Sequence, residues 1–200
     1  MEAILICGYS KTGKDTLYKQ LAGISEIPFN WITYYENLPP FLSSLNIDGC
    51  KRGAFADILK QEVNFMLNVP EDYESKKDMI YKDGKTLRDH YIEHAAEMRK
   101  INPDHWVEKL ILKNSKDVVD NKVLIITDFR YPNELERMKN EFSKVVTIRV
   151  FNSKLTVPDA SIISEHQLDD ISTDFLLVRT PEDFDKAVVI FPQYKNYVQL

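Results

Sequence analysis

Nine residues near the N-terminus, Gly8-Tyr9-Ser10-Lys11-Thr12-Gly13-Lys14-Asp15-Thr16, have the types and spacing to hold a phosphate group. They follow the form G-x-x-x-x-G-K. The two glycines let the backbone turn its amides toward an anion. A helix beginning at the end of the loop adds roughly half a positive charge there. Lys14 supplies a mobile, solvent-facing cation for the outer phosphates. The usual pattern continues with Ser or Thr, whose hydroxyl holds Mg²⁺. Asp15 stands there instead, so Thr16 or the Asp15 carboxylate would take that role, directly or through water. The plainer alternative is a strand-to-helix turn that binds nothing.

Further candidates lie along the chain. Asp128 ends an apolar run, the position where parallel sheets place ligand groups. An acid there approaches Mg²⁺ in phosphate-loop proteins. Arg130 follows two residues later and leaves on the same side; the alternative pairs it with Glu134 and makes Asp128 a helix cap. Arg88 and Arg99 are eleven residues apart, about three helical turns, so both project along one edge of a helix. Their guanidinium forks match phosphate oxygens, although a solvated helix edge is the commoner fate of such residues. His90-Tyr91-Ile92-Glu93-His94 matches H-x-x-E-H, a zinc peptidase pattern that still needs a third ligand from elsewhere. Glu165-His166, in a polar stretch, is weak on its own.

The elements that must position these residues are read from periodicity. Residues 2–7 form a strand apolar on both faces, as a parallel sheet requires, and Asp15 to Leu21 a helix. Residues 24–50 are irregular, with a strand expected at Trp31–Tyr35. Gly53 to Ala56 read as a short second strand. A helix follows with Ile58, Leu59, Val63, Met66 and Leu67 on its apolar face, then a charged surface excursion over 68–85. Leu87 to Ile101 form a long helix facing inward through Leu87, Tyr91, Ala95 and Met98. Asn102-Pro103 opens another helix running to about Val118. Strands at Val123–Thr127, Val145–Val150 and Phe175–Val178 alternate with helices at Asn133–Asn140 and Pro181–Val189. This alternation predicts a parallel, three-layer α/β fold.

Composition narrows the function classes. The chain carries 26 Lys and Arg against 31 Asp and Glu, a net charge of −5. There is no bulk basic field for a nucleic-acid polymer, so a phosphate ligand must be held by local cations. A 44% hydrophobic content over 200 residues supports one domain with a buried core. Of the two cysteines, Cys7 falls in a core strand, which favours reduced thiols and an intracellular, cytoplasmic setting. The N-terminal apolar run is too short for a signal peptide, and no stretch approaches a membrane span.

Together these stretches resemble the phage and viral deoxynucleoside monophosphate kinases, a family of P-loop kinases. The matching pieces are Gly8–Thr16, Phe55-Ala56-Asp57-Ile58-Leu59-Lys60, Leu87-Arg88, Arg99–Val107 around Asp104-His105-Trp106, Asp128 to Glu134, and Ser164-Glu165-His166 with Leu168-Asp169. They are in order and span most of the chain, with residues 24–50 outside them. The family carries Asp after the loop lysine, which accommodates Asp15. The resemblance implies a P-loop nucleoside monophosphate kinase-like fold of about five parallel strands in a single domain over residues 1–200. An acceptor-binding helical region would cover about 57–105, and a lid about 151–170, although the latter has Lys154 and no arginine where typical lids carry several. The implied activity is transfer from ATP, with Mg²⁺, to a deoxynucleoside 5′-monophosphate. Lys14, Arg88, Asp128 and Arg130 would be catalytic. Gly8, Ser10, Lys11, Thr12, Gly13, Lys14, Asp15 and Thr16 would hold ATP, and Lys60, Arg88, Arg99 and Trp106 the acceptor. Asp15, Thr16 and Asp128 would serve the metal. Partners would be small nucleotides, with no polymer and no membrane, and homodimerisation is left open. The animal phosphomevalonate kinases share much of the pattern and are the alternative. A non-catalytic nucleotide-binding module and the zinc peptidase are further ones.

Overall fold

A computed structural model describes residues 2–27, 29–32, 50–115, 123–154 and 157–199. The chain forms two compact units, one from Met1–Gly53 with Ser115–Leu200, the other from Ala54–Asn114.

The first unit is α/β. Strands β1 (Glu2–Cys7), β2 (Cys50–Gly53), β5 (Val123–Ile126), β6 (Lys144–Phe151) and β7 (Phe175–Val178) form a five-stranded sheet in the order β2-β5-β1-β6-β7. Every neighbouring pair is parallel, with β1 central and in register against both β5 and β6. Alternate residues of each strand point to opposite faces, and both faces are covered. On one, Leu17 and Leu21 of helix α1 (Lys14–Leu21) join Ile4, Ile6, Ile125, Ile148, Val150 and Leu177. On the other, Phe184 and Ala187 of helix α7 (Pro181–Ile190) join Phe151, Leu176 and Val178. This is the three-layer arrangement expected. Helix α5 (Pro132–Glu141) follows β5, and a single turn, α6 (Ile163–His166), precedes β7. A 3₁₀ segment, Pro192–Gln199, follows α7.

Parallel strands put all their carboxyl ends at one edge, so the segments after β1, β5, β6 and β7 gather there. That edge is where open α/β sheets bind ligands.

The second unit is helical: α2 (Phe55–Leu67), α3 (Leu87–Ile101) and α4 (His105–Asn114), with a small antiparallel pair, β3 (Ile80–Lys82) and β4 (Lys85–Thr86). The stretch expected to bind the acceptor lies within it. Val63, Leu87 and Tyr91 form its apolar centre. Helix α3 starts with a capping box, in which the Thr86 hydroxyl accepts from the Asp89 amide and the Asp89 carboxylate from the Thr86 amide.

Several expectations are corrected. The second strand is Cys50–Gly53, and Phe55 already opens α2. Met66 is exposed, because α2 turns Phe55, Ile58 and Val63 inward. The excursion over 68–85 contains a 3₁₀ turn, Glu71–Lys76, and the hairpin, whose Asp83-Gly84 turn takes positive φ at both residues. Helix α4 begins at His105 and ends at Asn114; Asn102 closes α3 and accepts the Asp104 amide through its side chain. Of the strand expected at 31–35, Ile32 makes one antiparallel bridge with Val178, and residues 33–35 lie outside the described residues, as does the expected end of the helix near Val118. Cys7 and Cys50 are both free thiols. No helix among the described residues is long and apolar enough to cross a membrane.

Candidate active site

The phosphate-loop candidate begins where β1 ends. Gly8 has φ 135°, and a Cβ there would stand 2.3 Å from the Val150 carbonyl oxygen on β6. Only glycine lets the two backbones pass so closely. Lys11 takes a left-handed φ of 64°, and Thr12 closes the loop by donating its hydroxyl to the Tyr9 carbonyl at 2.8 Å. Gly13, with φ 105°, is the N-cap of α1, and no side chain caps the helix there. The first-turn amides therefore keep their capacity to bind an anion.

Lys14 does not project into solvent as expected. Its Nζ donates to the Gly8 and Tyr9 carbonyls, each at 2.7 Å, and lies within the curve of its own loop. Burial pushes its pKa below the usual lysine value, and the charge on Arg130 adds to that shift.

The segment after β5 forms the facing wall. Phe129 is buried, while Asp128 and Arg130 are half-buried. Glu134, in the first turn of α5, accepts the Arg130 and Tyr131 backbone amides at 2.9 and 3.1 Å. The side-chain pair considered between Arg130 and Glu134 is thus replaced by a backbone cap. The Arg130 guanidinium instead pairs with Glu165 Oε1, and Glu165 Oε2 accepts the Ser10 amide at 2.7 Å. A cleft lined by Gly8, Tyr9, Arg130, Arg149, Ser164 and Glu165 opens here.

The segment carrying Glu165 is fastened to the loop a second time. The Tyr9 hydroxyl donates to Asp169 Oδ2 at 3.1 Å, and His166 Nδ1 meets the same oxygen at 2.6 Å. The Tyr9 and His166 rings lie 5.5 Å apart. Asp169 holds the His166 pKa above its ordinary value, and burial followed by the Asp169 charge raises that of Tyr9. Behind the cleft, Arg149 is only 2% exposed. Its Nε donates to the Tyr194 hydroxyl at 3.2 Å, its Nη2 to the Leu168 and Ile171 carbonyls, and its guanidinium stacks on Phe191. At the end of β7, the Arg179 guanidinium lies 3.6 Å over the Trp31 ring and donates to Asn30. Trp31 in turn packs against the place where a Gly13 Cβ would stand.

Of the residues assigned to a metal, Asp15 is exposed and pairs with Arg52 at 3.2 Å, Thr16 is half-buried in the first turn of α1, and Asp128 follows β5. No cluster of three or more His, Cys, Asp or Glu among the described residues is fit to hold a metal alone. Mg²⁺ at phosphate sites needs only one or two carboxylates, because substrate phosphates and water complete its shell. The oxygen donors Asp15, Thr16 and Asp128 fit that chemistry.

In the helical unit, the Arg88 fork grips Asp78, with Nη2 at 3.3 Å from Oδ2. Lys60 and Arg99 are half-buried. Trp106 is 2% exposed and its indole Nε1 has no hydrogen-bond partner among the described residues; the His94 and His105 rings pack against it. The histidines of the H-x-x-E-H stretch go separate ways: His90 meets the Lys82 carbonyl, and His94 meets Glu62. Glu62 also pairs with Lys109.

Two residues of the cleft, Tyr9 and Arg149, were not singled out as site residues, and Glu165 was named only in a weak Glu-His pair and in the resemblance. Arg149 had a signal, a lone charge inside the apolar run Val145–Phe151. Tyr9 and the role of Glu165 had none, since their contacts join residues 160 and 155 positions apart. Compared with models of known protein families and with curated protein sequences, the chain has no match.

Proposed function

We propose that this protein transfers the γ-phosphoryl group of ATP to the 5′-phosphate of a deoxynucleoside monophosphate, on a P-loop nucleoside monophosphate kinase-like fold. One observation carries the reading: at the carboxyl end of the central parallel strand, the Ser10 amide and the Arg130 guanidinium converge on a single carboxylate, beside Lys14. Groups that hold a carboxylate oxygen in this way suit a phosphoryl oxygen equally.

The loop amides and Lys14 hold the donor phosphates. Arg130 neutralises charge on the group in transit, and Arg88 and Arg99 bind the acceptor phosphate, with Lys60 in support. Asp15, Thr16 and Asp128 would hold Mg²⁺, which supplies charge neutralisation on the donor. The bond from the γ-phosphorus to the ADP oxygen breaks as a bond to an acceptor phosphate oxygen forms, giving ADP and a diphosphate. No general base is needed, because a phosphate monoester is largely ionised at pH 7. Catalysis is therefore positioning and electrostatics. The loop lysine is held by two of its own carbonyls, so reaching a donor phosphate means exchanging those bonds for charge-assisted ones.

The test is a panel of nucleoside and deoxynucleoside monophosphates and phosphomevalonate, each assayed with ATP and Mg²⁺ for ADP release. Release that depends on a deoxynucleotide is expected. Release only with phosphomevalonate assigns the alternative acceptor, and ATP binding without acceptor-dependent release reduces the protein to a binding module.

A further inference from the structure

We infer that Glu165 is an internal stand-in for a phosphoryl group: its carboxylate fills the anion subsite formed by the Ser10 amide and Arg130, and a phosphate ligand must displace it. This rests on the phosphate-loop reading above and adds to it the position of the subsite and a built-in competitor for it.

Both oxygens of Glu165 are committed. Oε2 takes the Ser10 amide at 2.7 Å and Oε1 takes Arg130, and the side chain is only 8% exposed. Lys14 Nζ lies within the same loop, on the Gly8 and Tyr9 carbonyls. The groups holding Glu165 are thus a guanidinium and a loop amide, the donor types a phosphate oxygen would use. A second anion cannot share them, since like charges at contact distance repel strongly in a partly desolvated site.

Glu165 reaches the loop from the single turn α6, 155 positions along the chain. That turn is tied down by the Tyr9–Asp169–His166 contacts as well. The Glu165 bonds hold only while the anion subsite lacks another anion, whereas the Asp169 bonds involve no phosphate-binding group. Displacement can therefore free Glu165 while Tyr9 keeps the segment beside the loop.

A competitor of this kind lowers apparent affinity by the fraction of molecules in which the subsite is open. Glu165→Gln removes the charge and keeps the shape. Its amide nitrogen must face either Ser10 or Arg130, both donors, so one contact is lost. The full chain is titrated calorimetrically with inorganic tripolyphosphate and, separately, ATP, as wild type and as Glu165→Gln. Binding about tenfold or more tighter in Glu165→Gln, for both ligands, is expected. Equal or weaker binding in Glu165→Gln, with the wild type still binding, overturns the stand-in alone. Absence of binding in both proteins overturns the phosphate-loop reading and the stand-in with it. On the wild type, the Glu165 carboxyl carbon resonance should shift when tripolyphosphate saturates the protein; an unmoved resonance overturns displacement independently of any variant.

Discussion

Gly8→Ala isolates the geometry that brings the loop back against the sheet. The new Cβ would lie 2.3 Å from the Val150 carbonyl oxygen, 3.0 Å from Thr12 Oγ1 and 3.3 Å from the Val150 carbonyl carbon. The closest atom is backbone in β6, which is paired on both sides, with β1 and with β7, so it cannot yield as a side-chain tip would. Overpacking of this kind costs about 1–3 kcal/mol. Holding a non-glycine residue at φ 135° costs about 1–3 kcal/mol more. For a chain of this length each kcal/mol lowers the midpoint by roughly 2–4 °C, so thermal unfolding followed by circular dichroism should show a loss on the order of 10 °C. Gly84→Ala is the internal comparison. Gly84 also has positive φ, 72°, but a Cβ there meets nothing within 4 Å. It should cost only the backbone term, about 1–2 kcal/mol. A Gly8→Ala protein as stable as the wild type, or no less stable than Gly84→Ala, would refute the close approach.

Three further outcomes are expected. Lys14→Ala should lower turnover on the order of 100-fold or more with the fold retained, because a charge aimed at the transferring group is lost; steady-state kinetics beside circular dichroism check this, and a folded variant with full activity would sink the role. Arg88→Ala should raise the acceptor Michaelis constant about tenfold or more, from a charge-assisted contact of roughly 1.5–3 kcal/mol, with ATP affinity little changed and Arg88→Lys rescuing only in part; because the Arg88–Asp78 pair is largely solvent-exposed, stability should hardly move. The His166–Asp169 pair raises the histidine pKa in the folded state above its ordinary value of 6.5, so its stabilisation is complete below pH 6.5 and is lost as pH rises through the folded value; the wild type's thermal advantage over His166→Gln should shrink with rising pH, and an advantage that grew would contradict the assignment.

What the sequence makes legible follows from burial. The strands β1, β5, β6 and β7 are apolar because both faces of the sheet are covered, and each was locatable to within a residue or two. Strand β2 lies at the sheet edge, paired only with β5, and Cys50-Lys51-Arg52-Gly53 lacks an apolar run. It was therefore placed three residues late. The hairpin at 80–86 carried a signal in Asp83-Gly84, but its strands are too short for alternation to mark them. Gly8, Gly13 and Lys14 were legible as a loop from type and spacing; the inward fold of Lys14 was not, because it depends on carbonyls that only the closed loop presents. Trp106 was named only through the resemblance, and its burial against His94 and His105 is a property of helix packing that residue type and spacing do not carry. Glu165 meets Ser10 only because β1 and the turn before β7 end at the same edge of the sheet.

Phosphate binding by the Gly8–Lys14 loop underlies the proposed activity. The most direct measurement is an amide NMR titration of the full chain with ATP and Mg²⁺ against adenosine alone. Saturable shifts at Ser10, Gly13 and Lys14 are expected with ATP and none with adenosine. ATP that leaves these three amides unmoved, or adenosine that shifts them equally, would contradict phosphate binding there.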